Sequence, residues 1–204
     1  GLMLFAVLFA EKLTFPAPPP GYSDSNELLK FPYNENGDRV TMLFLKNPGS
    51  RFLVFYQHGN AEDLNSILPR LQALKRSGFS VLAWDYPGYG TSDGEPSEAL
   101  ILEIAGMIWK SIPETFDYPH DRVILYGRSL GGGPATWLAS RENAAGLILE
   151  GTFTSIFRVG LPVNILPWDI FDNLGWIERV RCPVLFLHGT SDGTVPFNHS
   201  RRLY

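Results

Sequence analysis

From residue 49 onward, short runs of apolar residues alternate with longer stretches in which apolar positions recur every three or four residues. The runs occupy 52–56, 80–84, 123–126, 146–149 and 184–187. Runs this short, and apolar almost throughout, suit strands buried on both faces of a parallel sheet. The stretches between them, 64–77, 96–112 and 130–141, read as helices. Strand then helix, repeated, predicts a right-handed βαβ sheet with helices on both faces. Upstream, segments 27–33 and 39–46 are joined by Asn34-Glu35-Asn36-Gly37-Asp38. The Asn-Gly pair favours a hairpin turn, so the first two strands should be antiparallel.

Before the strands, residues 1–10 carry no polar side chain and are followed by Glu11-Lys12. A bilayer-spanning helix needs about 20 apolar residues. The run is read as the trailing end of a membrane anchor or signal-peptide core, with an N-terminal helix packed on the domain as the alternative. Phe15-Pro16-Ala17-Pro18-Pro19-Pro20-Gly21 lacks the backbone donors of a helix or central strand and reads as a linker. The expected division is an apolar segment at 1–14, a proline-rich linker at 15–26 and a domain at 27–204. Within the domain, apolar residues such as Phe153, Leu161, Trp168 and Trp176 make 152–180 a candidate lid between two strands.

A chain of 204 residues, 45% hydrophobic and 13% aromatic, suffices for one buried core. The net charge of -4 and the absence of a Lys/Arg run argue against nucleic acid as a partner. The single cysteine, Cys182, excludes an internal disulfide and leaves the compartment open. His58, His120, His188 and His199 have no metal-ligand spacing, and Gly88-Tyr89-Gly90 with Gly94 lacks the spacing of a dinucleotide loop. Neither a metal nor a cofactor is expected.

In open parallel sheets chemistry gathers at the carboxyl ends of the strands. Gly127-Arg128-Ser129-Leu130-Gly131 stands at one such end, after an apolar run and before Gly132-Gly133-Pro134-Ala135. A G-x-S-x-G at a strand-to-helix turn places a serine hydroxyl at the top of the sheet, and the glycines leave room for its strained backbone. Ser129 is therefore the candidate nucleophile; the bland alternative is a glycine-rich turn with an incidental serine. Acyl transfer at a serine needs two N–H donors for the oxyanion. The expected pair is the amide of Leu130 and, from the end of an earlier strand, that of Asn60. His58, in the same loop, is expected to hold it in place by hydrogen bonds.

His58-Gly59-Asn60, Asp85-Tyr86-Pro87-Gly88-Tyr89-Gly90-Thr91-Ser92, Gly127-Arg128-Ser129-Leu130-Gly131-Gly132 and His188-Gly189-Thr190-Ser191-Asp192-Gly193-Thr194-Val195-Pro196 resemble, in order, the successive motifs of the α/β-hydrolase superfamily. The apolar start, the Phe15-Pro16 linker and Arg128 beside the serine are most similar to the small membrane-anchored ABHD serine hydrolases, some of which are protein depalmitoylases. The resemblance implies a mostly parallel sheet flanked by helices and a triad acid at Asp192, with Glu150 as a rival. Asp85 also ends a strand, but in the aspartate-using branches of the superfamily the carboxylate replaces the elbow serine, and Ser129 occupies the elbow here; Asp85 is expected to be structural and a partner for Arg128. The family's histidine follows a further helix and strand after the acid. None of the four histidines is placed to serve, so the C-terminal strand and helix are read as missing and the chain as a fragment.

The function implied is hydrolysis of carboxylic esters or thioesters of a small-molecule or lipid-like acyl substrate, with an acylated protein as a further candidate. A serine peptidase and a non-catalytic binding protein are the alternatives. The N-terminal run makes membrane association through that end slightly favoured over a soluble location.

Overall fold

The computed structural model describes residues 14–156, 159 and 169–204. Among them, strands β1 (Leu28–Pro32), β2 (Arg39–Leu45), β3 (Leu53–Gln57), β4 (Ser80–Trp84), β5 (Val123–Arg128), β6 (Gly146–Glu150) and β7 (Val184–Leu187) form a sheet in the order β1-β2-β4-β3-β5-β6-β7. The hairpin partners β1 and β2 are antiparallel, as is the β2–β4 pair, and the remaining pairings are parallel. All seven strands stand where the apolar pattern predicts them. Gly37 supplies the positive φ of the hairpin turn, at 86°.

Helix α1 (Leu64–Arg76) covers one face of the sheet, and helices α2 (Glu98–Phe116) and α3 (Gly132–Ala139) cover the other. The period of two in a strand divides the side chains between them. Val54, Tyr56, Val81 and Ala83 pack with Leu64, Ile67 and Leu71 of α1. Their neighbours Leu53, Phe55, Leu82 and Trp84 join the core with Ile101, Ile104 and Ile108 of α2 and Ala135 and Leu138 of α3. Each large side chain so buried stabilises the fold by about 1.5–3 kcal/mol. Asp63 caps α1, its Oδ1 accepting from Ser66 N at 2.8 Å while Ser66 Oγ accepts from Asp63 N at 2.9 Å.

Helix α2 continues one turn past Ile112, where the sequence pattern ended it, and stops at Asp117 with φ 62°. Pro113 has no N–H to give the Trp109 carbonyl. His120 fills that place: its Nε2 lies 2.9 Å from Trp109 O, and its ring stacks on the indole at 4.3 Å. The short helices α4 (Asn173–Ile177) and α5 (Asn198–Leu203) flank β7 in sequence. Residues 1–13 and part of the expected lid, 157–158 and 160–168, lie outside the described residues.

The sheet order has a functional consequence. The chain runs from β3 outward to β4 and then returns to β5 on the other side of β3, so neighbouring connections diverge at the β3–β5 pair. In open α/β sheets a crevice opens where this happens. Gln57 and Gly127 are register partners, so the loop leaving β3 and the turn leaving β5 start side by side.

Candidate active site

Ser129 has φ 48°, a left-handed conformation that costs a non-glycine residue of order 1–3 kcal/mol and is found where a tight turn demands it. A short 3₁₀ turn, Ser129–Gly131, leads directly into α3. The flanking glycines are required by close approach. A Cβ on Gly127 would lie 2.5 Å from Gly131 O and 2.6 Å from Gly132 Cα, and one on Gly131 would collide with the Gln57 carbonyl. Thr152 Oγ1 donates to Ser129 O at 2.8 Å and ties the turn to the end of β6.

The loop after β3 is held from several sides. His58 is fully buried; its Nδ1 lies 2.7 Å from Gly59 O and its ring packs 4.1 Å from that of Tyr86. Tyr86 OH donates to His58 O at 2.7 Å. The loop-holding role expected of His58 is thus visible in its bonds. Asn60 is exposed, but its side chain is engaged: Nδ2 donates to Thr14 O at 2.7 Å and Oδ1 accepts from Tyr89 OH at 2.8 Å. The proline-rich stretch runs against this same loop. Phe15 is buried, Gly21 N donates to Asp63 Oδ2 at 2.7 Å, and Tyr22 OH donates to Asp85 Oδ2 at 2.5 Å.

Asp192 follows β7, where Oδ1 accepts from Thr194 N at 2.8 Å and Val195 N at 2.9 Å. Those two amides, Val195 first, hold its carboxyl below the ordinary range. His188 braces the loop from inside. Its Nε2 meets the Val195 carbonyl at 2.7 Å, its Nδ1 meets Ser200 Oγ at 2.5 Å, and Asp192 Oδ2 lies 3.7 Å from its Nε2. Since a carbonyl oxygen only accepts, Nε2 carries a proton.

Ser129, Asp192 and Asn60 line one cavity of about 710 Å³, with Arg70, Tyr126, Arg128 and Glu150 on its wall. Leu130 is buried at the base of the elbow. Glu150, the rival acid, is fully engaged: Oε1 and Oε2 accept from Arg70 Nη1 at 2.9 and 3.0 Å, and Oε2 accepts from Tyr126 OH at 2.6 Å. Burial, reinforced by Glu150, pushes the Tyr126 phenol up and keeps it a donor.

The expected Asp85–Arg128 partnership is not formed. Arg128 Nη1 pairs with Glu62 Oε1, and its Nε lies 3.6 Å from Glu150 Oε1. Asp85 is completely buried beneath the β3 loop, where it accepts from Tyr22 OH and from Leu64 N, at 2.9 Å, and lies 3.4 Å from His58 Nε2. A buried carboxylate takes whatever donors surround it, and the start of α1 supplies one. Glu62, Arg70 and Tyr126 were not singled out from the sequence. Only Glu62 carried a signal there, three positions after the glycine of the His-Gly-Asn loop.

Among the described residues none of the four imidazoles is bonded to the Ser129 hydroxyl. His58 and His188 hold their loops, and His120 caps the Trp109 carbonyl. His199 lies buried in α5, with Nδ1 accepting from Thr154 N at 3.2 Å. No group of three His, Cys, Asp or Glu side chains that could hold a metal ion is gathered among the described residues.

Sheet order and the strained strand-to-helix turn at Ser129 together define an α/β-hydrolase fold. The fold is matched by the Pyrococcus furiosus esterase Pf2001, at a TM-score of 0.74 and 16% identity over 92% of this chain and 83% of that one. Mouse alpha/beta hydrolase domain-containing protein 10 matches at 0.63 and 22% identity, over 86% of this chain and 82% of that one. In sequence, the chain is 37% identical to alpha/beta hydrolase domain-containing protein aho-3 of Caenorhabditis elegans over 77% of its own length and 48% of that protein's. It is 31% identical to human alpha/beta hydrolase domain-containing protein 17B over 82% of its own length and 60% of that protein's. The chain therefore spans about half to three-fifths of these curated relatives. Residues 49–168 match the family described as serine aminopeptidase, S33 (Hydrolase_4), and the chain belongs to that family of serine hydrolases.

Proposed function

We propose that this protein cleaves carboxylic esters or thioesters through an acyl-enzyme on Ser129. The observation that carries the proposal is the serine at φ 48° between two sterically obligatory glycines, in one cavity with Asp192 and Asn60. Ser129 Oγ attacks the acyl carbonyl and loses its proton to a general base. The oxyanion is held by the amides of Leu130 and Asn60, and the base returns the proton to the departing alcohol or thiol. Water, deprotonated by the same base, then releases the carboxylic acid and restores the serine.

Asp192 is proposed to orient that base and to stabilise its cation. Its carboxyl is already ionised by two backbone amides, while Glu150 is committed to Arg70 and Tyr126. The base is proposed to be an imidazole that enters the cavity from outside these 204 residues. Support comes from the commitments of the four histidines and from the greater length of the curated relatives.

A lipid-like acyl group, on a small molecule or on a protein, is the substrate class suggested by the apolar residues of 152–180, and the apolar run at 1–10 suits attachment to a membrane where such substrates reside. The family's description as a serine aminopeptidase keeps peptide substrates as the second reading.

The test is made on the natural full-length protein with a fluorophosphonate probe and p-nitrophenyl esters of increasing chain length, beside acyl thioesters and aminoacyl nitroanilides. Probe labelling lost in Ser129→Ala, with kcat/KM rising from acetyl to longer chains, is the expected result. Turnover confined to the nitroanilides would make the protein a peptidase. Undiminished turnover by Ser129→Ala would overturn the nucleophile.

A further inference from the structure

The Arg128–Glu62 ion pair joins the two loops that flank the cavity, and nothing in the chemistry above accounts for it. Arg128 is the last residue of β5 and directly precedes Ser129. Glu62 lies two residues beyond Asn60 in the loop leaving β3. Its Oε1 meets Arg128 Nη1, while its Oε2 accepts the Gly59 amide at 2.6 Å. One carboxylate thus grips the backbone just before Asn60 and the side chain just before the serine.

Planarity of the peptide unit makes this grip directional. In the trans peptide between Gly59 and Asn60, the Asn60 N–H points opposite to the Gly59 C=O. That carbonyl is turned towards His58 Nδ1, 2.7 Å away. The preceding peptide is held through the Gly59 N–H by Glu62. Both peptides around Gly59 are pinned, on a residue that would otherwise rotate freely. A Cβ there would lie 2.7 Å from Glu62 Oε2 and 3.1 Å from Arg128 Nη1, so the glycine is also what lets the ion pair close over the backbone. The Asn60 side chain is held separately, by Thr14 O, Tyr89 OH and the Ala61 amide.

We infer that Glu62 is a positioning residue that, braced by Arg128, aims the Asn60 amide at the oxyanion and couples the oxyanion loop to the nucleophile elbow. The inference rests on the proposal that Asn60 and Leu130 supply the oxyanion donors. Glu62 itself touches no reacting atom. Its loss should therefore be felt in the transition state and hardly in substrate binding.

The experiment compares Glu62→Ala, Glu62→Gln, Arg128→Gln and the Glu62→Gln/Arg128→Gln pair in the natural full-length protein. It records kcat and KM on one ester, the Kd of an alkyl boronic acid that forms a tetrahedral adduct on Ser129, and the thermal midpoint. Removing an oxyanion donor outright lowers kcat by about 10²–10³. Misaiming one through Glu62→Ala should lower it by about 10-fold to 100-fold, weaken the boronic acid by a similar factor, and leave KM within about twofold. Glu62→Gln keeps an oxygen for the Gly59 amide and should recover part of the loss. The double variant should be no worse than the poorer single one, because the two residues act as a unit. Glu62→Gln, nearly isosteric, keeps the test open if Glu62→Ala fails to fold. A kcat and boronate affinity for both Glu62 variants within about twofold of wild type, alongside an inactive Ser129→Ala, would overturn the clamp and leave the proposed nucleophile standing. A loss expressed in KM alone would overturn it as well. An active Ser129→Ala would instead defeat the reading on which the clamp depends.

Discussion

The phenol of Tyr126 donates to Glu150 Oε2 over 2.6 Å, and that carboxylate also receives Arg70, which leaves it no free oxygen for an imidazole. Asp192, which lines the same cavity, takes two backbone amides on Oδ1, while its Oδ2 lies 3.7 Å from His188 Nε2. In the full-length protein Asp192→Asn should lower kcat by about 10⁴. Glu150→Gln should have a much smaller effect on kcat, and steady-state kinetics of the two variants checks the order.

Acid titration should report on Asp192. The Val195 and Thr194 amides depress the folded-state pKa of Asp192 below its unfolded value. Its contribution to stability is then fully present above the ordinary carboxylate pKa and is lost as the pH falls through the lower folded value. The stability difference between wild type and Asp192→Asn should be constant above about pH 5 and shrink below about pH 4. Urea unfolding midpoints across that range measure it, and a difference that grew on acidification would contradict the assignment.

Strain at Ser129 makes a prediction independent of turnover. Ser129→Ala keeps the φ of 48° with a Cβ and should leave stability nearly unchanged, whereas Ser129→Gly should raise it by about 1 kcal/mol. Both should lose fluorophosphonate labelling. Denaturant midpoints decide the stability half, and equal midpoints for the two variants would argue that the turn is unstrained.

At Gly127 the expected change has the opposite sign. A Cβ would press on Gly131 O and Gly132 Cα, which are backbone atoms of the elbow and cannot rotate away. Gly127→Ala should destabilise the protein by about 1–3 kcal/mol. A midpoint like that of wild type would show that the elbow can open to accept a methyl group.

His120 provides the control away from the cavity. With Pro113 unable to serve the Trp109 carbonyl, His120→Phe keeps the stacked ring but removes the bond, and should cost about 1–2 kcal/mol of stability without changing kcat/KM. Adding Pro113→Ala restores an N–H to the helix and should recover part of that loss. A fall in kcat/KM on His120→Phe would connect this ring to catalysis after all.

Much of the architecture was legible because its signals are local. The five apolar runs, the Asn36-Gly37 turn and the glycines around Ser129 each report a backbone requirement within a few residues, and each stands where it was expected. The end of α2 was misplaced because Pro113 reads as a stop, while the carbonyl it orphans is served by His120, seven residues further on. The Asp85–Arg128 pairing failed for a related reason. Both residues sit at carboxyl ends of strands, and that shared position does not decide which of several carboxylates a guanidinium will reach.

By itself, then, the sequence determined the strand order in time, the hairpin and the site of the sharp turn at Ser129, since these follow from side-chain periodicity and from where only glycine fits. The tertiary structure alone decided which groups meet in the cavity. It carried β5 back beside β3, so that Glu62 and Arg128, 66 residues apart, close one ion pair, and it laid Thr14 against Asn60 in the β3 loop and Tyr22 against Asp85 after β4. Charges and hydrogen-bond donors choose partners by distance in space, and that distance is set by the order of strands in the sheet.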